Sequence, residues 1–191
     1  MNLPPLILAS ASPRRAELLR QLGFQFQVVP STAPEVRRAH LSPGELCQLN
    51  ACRKARLVAP RFPDHVVLGA DTLVCLGSKL FGKPIDAKDA EAMLMQLQGR
   101  THHVVTGVCL LHLRTHKRTV FAATSAVTFR GLDLQQIRQY LQLVHPLDKA
   151  GAYAIQEHGD RIVEHLVGSF ANVVGLPTER LTIELKAFAE P

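Results

Sequence analysis

The sequence predicts an α/β fold built around a mixed, twisted sheet. Strand-like and helix-like segments alternate along the chain, which is the pattern of α/β proteins. Two long apolar segments, roughly His103 to Leu113 and Arg118 to Phe129, follow each other with a short turn around Thr115 and His116, so they predict a long antiparallel hairpin at the centre of the sheet. No linker interrupts the 191 residues, and we therefore expect one domain spanning residues 1–191.

The first predicted elements form a strand, a loop and a helix. Residues Leu6 to Ala9 are a short apolar strand, and the Ser12-Pro13 pair supplies an N-cap followed by a proline at the first helical position. The helix over Arg14 to Leu22 carries leucines on one face and ends at Gly23. The alternating segment from Phe24 to Val29 predicts a second strand.

The middle of the chain predicts a helix and a strand pair. A capping box at Ser42 to Glu45 opens a helix that runs to about Ala59. Val66 to Ala70 is a buried strand, Leu73 to Leu76 continues it in strand-like fashion, and Gly77-Ser78 is typical of a hairpin turn. We expect the polar residues at 71 and 72 to mark the end of the buried strand.

Further elements complete the predicted order on both sides of the central hairpin. Their boundaries follow from caps, glycines and prolines. They are a helix from the cap Asp86 to about Leu97, closed by Gly99, a helix from the cap Asp133 to about Leu143, a strand at Arg161 to Val167, and a terminal helix that starts at Pro177.

The charge and composition favour an anionic ligand and argue against a nucleic-acid-binding protein. The formal net charge is +6 and the pI is about 9.5, which favours anions in general. The basic residues are scattered, aromatic residues make up 5%, and there is no tryptophan to stack on bases. We therefore expect no dedicated nucleic-acid binding.

The cysteines and the N-terminus predict a cytoplasmic protein. The four cysteines form no C-x-x-C pair and no zinc spacing, so free thiols in a reducing compartment are expected. The start, MNLPPLILAS, lacks the charged region and long apolar core of a signal peptide, and no apolar run is long enough to span a membrane. Nothing in this pattern decides the oligomeric state, and a homodimer is compatible with it.

The loop from Ser10 to Arg15 is the strongest local indication of a binding site. A helix N-terminus presents backbone N–H groups and the positive end of the helix dipole. With the hydroxyls of Ser10 and Ser12 and the guanidinium groups of Arg14 and Arg15, it would form a cradle for phosphate. The alternative interpretation is an ordinary capped helix with two solvated arginines, and the local pattern leaves both open.

Asp71 is the second candidate, because a carboxylate after a buried strand stands where α/β proteins bind ligands. It could hold a divalent cation or activate a water, or it could simply hydrogen-bond a turn. Lys54 and Lys83 could each reach phosphate oxygens or be solvated, and Glu35 could be a second metal ligand or a surface charge. The segment from Asp148 to Gln156 mixes charges with small residues that let a ligand approach the backbone, or it is a tightly packed connection.

Taken together, these segments resemble the Maf family of nucleoside triphosphate pyrophosphatases. Six motifs occur in the same order and at similar spacing along the whole chain, which argues against chance agreement. They are "LASASPRR" at 8–15, "GADT" at 69–72, "GKP" at 82–84, "TGV" at 106–108, "DKAGAYAIQ" at 148–156 and "VVGLP" at 173–177.

The resemblance implies a Maf/Ham1-like fold with two lobes around a cleft, and cleavage of a nucleoside triphosphate between its α- and β-phosphates with Mg²⁺ or Mn²⁺. The Ser-Pro-Arg-Arg, Asp-Thr and "AGAYAIQ" motifs look like the branch that acts on dTTP and UTP, and modified pyrimidine nucleotides are further candidate substrates. The alternatives are the branch acting on 7-methyl-GTP, which has tryptophan at the position of Arg14, and a non-catalytic nucleotide-binding regulator of cell division.

The resemblance also implies roles for individual residues. Asp71 would be the proton acceptor, and Asp71 with Glu35 would hold the metal. The remaining candidates would bind the substrate through its phosphates or its base, and Arg14, Thr72 and Gln156 would also discriminate between nucleotides. The predicted substrate-binding residues are Ser10, Arg14, Arg15, Lys54, Thr72, Lys83 and Gln156.

Overall fold

The computed structural model describes residues 4–36 and 40–189, and within them it confirms the predicted mixed α/β class. The seven strands of the described residues form one sheet in the order β2-β1-β3-β5-β6-β7, with β4 paired to β3. The elements are β1 (Leu6–Leu8), α1 (Pro13–Gln21), β2 (Phe26–Val28), α2 (Pro43–Val58), β3 (Val66–Leu76), β4 (Lys79–Phe81), α3 (Ala87–Leu97), β5 (Thr101–His112), β6 (Lys117–Phe129), α4 (Leu134–Leu143), β7 (Val163–Val167), α5 (Phe170–Val174) and α6 (Thr178–Ala189).

Parallel and antiparallel pairings both occur in the sheet. Strand β1 pairs in parallel with β2 and with β3, so that Leu6 stands opposite Phe26 on one side and Val66 on the other. Strands β3 and β4, like β6 and β7, are antiparallel. Strands β5 and β6 are neighbours joined by the turn 113–116, which confirms the predicted central hairpin.

The helix caps that the sequence predicts are confirmed in detail. The side chains of Ser42 and Glu45 form the reciprocal capping box of α2, and Asp133 forms the second box with Gln136. The carboxylate of Asp86 caps α3 through the backbone N–H of Asp89. Each of these bonds satisfies an N–H that the helix itself cannot pair.

Several predicted boundaries differ from the structure. Strand β3 runs without a break through residues 71 and 72, so the strand end expected there is wrong, and the two predicted segments form a single strand of 11 residues. Strand β2 is shorter than predicted, and β7 begins at Val163 because Gly159–Arg161 forms a 3₁₀ turn. The short helix α5 was not predicted, since five residues give no helical periodicity.

The chain divides into two compact units. The first comprises Met1–Asp71, Thr106–Ala123 and Gly175–Pro191, and the second comprises Thr72–Val105 and Thr124–Val174. The first unit has two groups of buried apolar side chains around β1, β3 and β5, and the second has one group in which α3 and α4 take part. The single domain spanning 1–191 stays a prediction.

Helix α2 packs against the sheet of the first unit with its backbone in close contact. A Cβ atom added at Gly69 would lie 2.2 Å from the carbonyl oxygen of Ala51, and one added at Gly107 would lie 2.3 Å from the carbonyl carbon of Cys47. Only glycine leaves room for such an approach. These two glycines therefore bring α2, which carries Asn50 and Lys54, directly onto β3 and β5.

We expect Gly107→Ala to destabilise the protein by about 3 kcal/mol, because the new methyl group overlaps a helix backbone that cannot move independently. The matched control is Gly131→Ala, since a Cβ added there meets no described atom within 4 Å, and it should change the free energy of unfolding by less than about 0.5 kcal/mol. Urea unfolding measures both. Equal stability of the two variants would contradict the close packing of α2.

None of the helices in the described ranges is long and apolar enough to cross a membrane.

Candidate functional site

The loop between β1 and α1 is held together by its own polar side chains. The hydroxyl of Ser10, which is buried, accepts hydrogen bonds from the backbone N–H of Ser12 (3.2 Å) and from Nη1 of Arg15 (3.1 Å). Nε of Arg15 donates to the carbonyl oxygen of Gly175 at 2.8 Å. Arg15 therefore fixes the loop to the segment that precedes α6.

The geometry of this loop differs from an ordinary capped helix with two solvated arginines. Ser12 stands at the N-cap position as predicted, but its side chain makes no capping bond within the described residues, and Pro13 is the first helical residue. Arg14 and Arg15 are both half-buried, and the first turn contains no acidic residue. The loop therefore concentrates positive charge at a helix N-terminus, which is the arrangement that binds anions.

Asp71 lies in the middle of β3 and is almost completely buried. Only 3% of its surface is exposed. One carboxylate oxygen accepts from Nζ of Lys54 at 2.7 Å, and the other accepts from the amide nitrogen of Asn50 at 3.0 Å. The same Lys54 ammonium lies 2.8 Å from the carboxylate of Glu35. The structure thus brings Glu35, Lys54 and Asp71 together as one cluster.

Asn50 is a member of this cluster that the sequence did not predict. Its side chain is buried, and besides Asp71 it contacts both backbone groups of Val36: it accepts from the N–H at 2.9 Å and donates to the carbonyl at 3.2 Å. Asn50 therefore holds the segment next to Glu35 and orients the Asp71 carboxylate at the same time. It stands four residues before Lys54 on α2, one helical turn away. This spacing places the two side chains on the same face of the helix, and it is the feature of the sequence that could have indicated Asn50.

The buried position of Asp71 raises its pKa. Burial, which disfavours the charged form, is the main cause, and the negative charge of Glu35 acts in the same direction. The charge of Lys54 and the hydrogen bonds from Lys54 and Asn50 oppose this shift. The carboxylate is therefore more basic than an exposed aspartate, which suits a group that accepts a proton.

The arginine loop and the carboxylates influence each other electrostatically. Burial lowers the pKa of Arg15, and the negative charge of Asp71 is the largest effect that opposes it. Glu35 acts in the same sense as Asp71, whereas Arg14 repels the charge of Arg15. The positive loop and the acidic cluster of the first unit are thus close enough to act on one ligand.

The acidic cluster has donors that suit a hard divalent cation. Three oxygen atoms, from Glu35, Asp71 and the carbonyl of Ala70, surround the Lys54 ammonium at 2.8, 2.7 and 3.5 Å. Mg²⁺ and Mn²⁺ also bind through oxygen ligands, so carboxylate and carbonyl oxygens that gather around a lysine ammonium are of the type that such a cation would use. Within the described residues, no three or more histidine, cysteine, aspartate or glutamate side chains are placed so that they could hold a metal ion together, so such a cation would need further ligands from phosphate or water.

The other predicted binding residues belong to the second unit. Thr72 follows Asp71 on β3 and is half-buried, Lys83 follows β4 and is exposed, and Gln156 is exposed. The hydroxyl of Tyr140 anchors the segment before Gln156, because it accepts from the N–H of Ala154 at 3.0 Å and donates to its carbonyl at 3.3 Å.

Comparison with known proteins places the chain in a family. The profile of the Maf-like protein family matches residues 5–188. A dTTP/UTP pyrophosphatase of Akkermansia muciniphila is 46% identical over 92% of both chains. Relatives of the same name from Pelotomaculum thermopropionicum and Bacillus cereus are 42% and 43% identical, over 96% and 98% of this chain and 96% and 91% of their own.

A solved structure supports the fold independently of sequence. A HAM1 protein from Coxiella burnetii matches with a TM-score of 0.52 and 12% identity, and the match covers 96% of this chain and 99% of that one. This likeness concerns the fold alone. The family profile spans nearly all of the chain, and the relatives align with the chain over almost their full length. The chain therefore belongs to the Maf-like protein family.

Proposed function

We propose that this protein is a pyrophosphate-releasing hydrolase that converts dTTP and UTP to the nucleoside monophosphates and pyrophosphate. The observation that carries the proposal is the Lys54 ammonium between the carboxylates of Glu35 and Asp71 at 2.8 and 2.7 Å. This cluster combines a basic carboxylate with a binding position for a cation, and both are needed at a phosphate that is attacked by water. The dTTP/UTP pyrophosphatase relatives support the choice of substrate.

The proposed roles follow from charge and position. Asp71 accepts the proton of the attacking water and, with Glu35, provides carboxylate ligands for a divalent cation. Mg²⁺ or Mn²⁺ bound there would neutralise phosphate charge and polarise the α-phosphate. Lys54 keeps the two carboxylates together and contacts phosphate oxygens.

The remaining residues bind and select the nucleotide in this proposal. Ser10, Arg14 and Arg15 hold phosphate at the N-terminus of α1, where the helix dipole favours negative charge. Lys83 adds a positive charge on the second unit, and Thr72 and Gln156 read the pyrimidine by hydrogen bonds. A cytoplasmic location and the lack of dedicated nucleic-acid binding remain predictions, and a homodimer is one candidate for the oligomeric state.

Pyrophosphate release from a panel of nucleotides tests the proposal. The panel contains dTTP, UTP, a modified pyrimidine triphosphate, 7-methyl-GTP and the standard triphosphates, each with Mg²⁺ and with Mn²⁺. We expect the highest kcat/KM for dTTP and UTP. A preference for 7-methyl-GTP would place the protein in the other branch, and binding without turnover would make it a regulator instead of an enzyme.

The pH profile of kcat/KM is expected to have an acid limb whose apparent pKa lies above the ordinary pKa of an aspartate. The folded protein raises the pKa of Asp71 through burial, and catalysis needs the deprotonated carboxylate, so activity is lost as the pH falls through this raised pKa. Because a cation binds only the deprotonated form, more Mg²⁺ should move the limb to lower pH. An acid limb whose apparent pKa is no higher than about 3.9, and which does not move when Mg²⁺ is added, would contradict the role of Asp71.

A further inference from the structure

A buried lysine lies near the start of the segment that carries Gln156. Only 4% of the surface of Lys149 is exposed, although the residue is charged. Its ammonium group donates to the carbonyl oxygen of His145 and to a carboxylate oxygen of Asp148, both at 2.8 Å, and it lies 3.5 Å from a carboxylate oxygen of Glu157. Three oxygens thus match the three N–H donors of the ammonium group and offset the cost of burying its charge.

The contact with Glu157 fixes one end of the turn on which Gln156 stands. Glu157 follows Gln156 directly, and its backbone N–H donates to the carbonyl oxygen of Ala154 at 3.3 Å, which closes a four-residue turn. At the other end of the turn, the hydroxyl of Tyr140 pairs with both backbone groups of Ala154. The exposed side chain of Gln156 therefore projects from a turn that Tyr140 and Lys149 hold from its two ends.

The backbone between Lys149 and this turn has little freedom to move. Gly151 and Ala152 have φ angles of 71° and 63°, in the left-handed region that an alanine rarely adopts. The N–H of Ala152 donates to the carbonyl of Lys149 at 3.1 Å, and the N–H of Gly151 donates to the carbonyl of Gly82 at 3.0 Å. A strained alanine persists only where its surroundings fix the backbone, so these contacts define one conformation of the segment.

A buried charge is not needed merely to fill this position. Apolar side chains of similar volume often replace a buried ion pair without loss of stability. What an ammonium group adds is direction, because its hydrogen bonds to three oxygens specify one arrangement of the groups that carry them. In the second unit those groups belong to the chain on both sides of Gln156.

We propose that Lys149 is a positioning residue for nucleotide selectivity, which acts by holding Glu157 and thereby the turn that presents Gln156. The inference rests on the proposed function, in which Gln156 reads the pyrimidine. Thymine and uracil offer an acceptor at O4, whereas cytosine offers an amino donor at N4. A glutamine amide contains both donors and an acceptor and can complement either edge, so its selectivity depends on where the chain holds it.

Lys149→Met tests the inference, because methionine fills a similar volume and removes all three polar contacts. We expect KM for dTTP to rise about tenfold, with kcat changed less than about twofold and KM for dCTP unaltered, so the preference for dTTP over dCTP should fall about tenfold. Lys88→Met, the matched control at an exposed position of α3, should leave this preference unchanged. An equal loss for both nucleotides, or a loss of stability in urea with the preference intact, would overturn the inference.

Tyr140→Phe tests the other end of the same turn. Phenylalanine keeps the buried ring and removes the hydroxyl that pairs with Ala154. If the position of the turn sets selectivity, this variant should also lose preference for dTTP over dCTP with kcat nearly unchanged. A preference equal to that of the unchanged protein, in a variant that circular dichroism shows to be folded, would overturn the inference.

Hydrogen exchange of the substrate-free protein separates this inference from the proposed function. In Lys149→Met, the amides of residues 150–157 should exchange about tenfold faster, whereas those of α6 in the first unit should keep their rate. Unaltered exchange at 150–157 would overturn the positioning role whatever the protein hydrolyses. If the unchanged protein turns over neither dTTP nor UTP, the proposed function fails instead, and the role of Lys149 in selectivity fails with it even where exchange becomes faster.

Discussion

Asp71→Asn is expected to lower kcat for dTTP and UTP about a thousandfold while the protein stays folded. The amide has nearly the same shape as the carboxylate but cannot accept a proton, and it cannot offer both oxygens to Lys54 and Asn50. The loss should therefore fall on kcat more than on KM, because the phosphate-binding loop is unchanged. Steady-state pyrophosphate release at saturating Mg²⁺ measures the effect.

Asp64→Asn is the matched control for this variant. Asp64 lies in the same unit, but it is exposed and pairs with Arg114 at 2.7 Å on the surface. The same change of chemistry there should leave kcat unaltered, since exposed ion pairs contribute little. If Asp71→Asn retained the turnover of the Asp64 variant, Asp71 would be neither the proton acceptor nor a required metal ligand.

The sequence predicts the secondary structure well where local chemistry decides it. The caps of α2, α3 and α4 require particular side chains at fixed offsets, and the central hairpin requires two long apolar segments with a short turn. These signals do not depend on the rest of the molecule, and the structure confirms them. By contrast, the passage of β3 through Asp71 could not be predicted, because a buried carboxylate inside a strand needs partners from another element.

The candidate site shows the same division between local and distant information. Ser10 to Arg15 could be identified from the chain itself, since a serine, a proline and two arginines at a helix start form a local pattern. The contact of Lys54 with both Glu35 and Asp71 joins residues 19 and 17 positions away, and no local rule indicates it. The sequence indicates Glu35, Lys54 and Asp71 only as separate candidates, and the resemblance to the family adds the role of Asp71 as proton acceptor. The ionic cluster and the part of Asn50 in it come from the fold.

The packing that creates the cluster also depends on residues that carry no chemistry. Gly69 and Gly107 allow α2 to touch the sheet, and a Cβ at either position would push the helix away. Periodicity predicts a strand at both positions but not the partner that approaches it. The sequence therefore indicates which groups are present for function, whereas the distances between them follow from where α2 lies.

Lys54→Ala is expected to lower kcat/KM about a hundredfold or more at pH 7, because it removes the positive charge shared by Glu35 and Asp71. The charge of Lys54 lowers the pKa of Asp71, so its loss should raise that pKa and move the acid limb of the profile to higher pH. Part of the activity should then return as the pH is raised. Profiles of kcat/KM against pH at fixed Mg²⁺ measure this shift.

Two further variants separate the charge of Lys54 from its contacts with substrate. Lys54→Arg keeps a positive charge between the carboxylates, so its acid limb should stay near that of the unchanged protein even if the longer side chain lowers kcat. Arg56→Ala removes a charge from an exposed position of the same helix and should alter neither quantity. If Lys54→Ala loses the same factor at every pH, Lys54 serves only to bind phosphate. A loss that diminishes with rising pH instead means that Lys54 keeps Asp71 ionised.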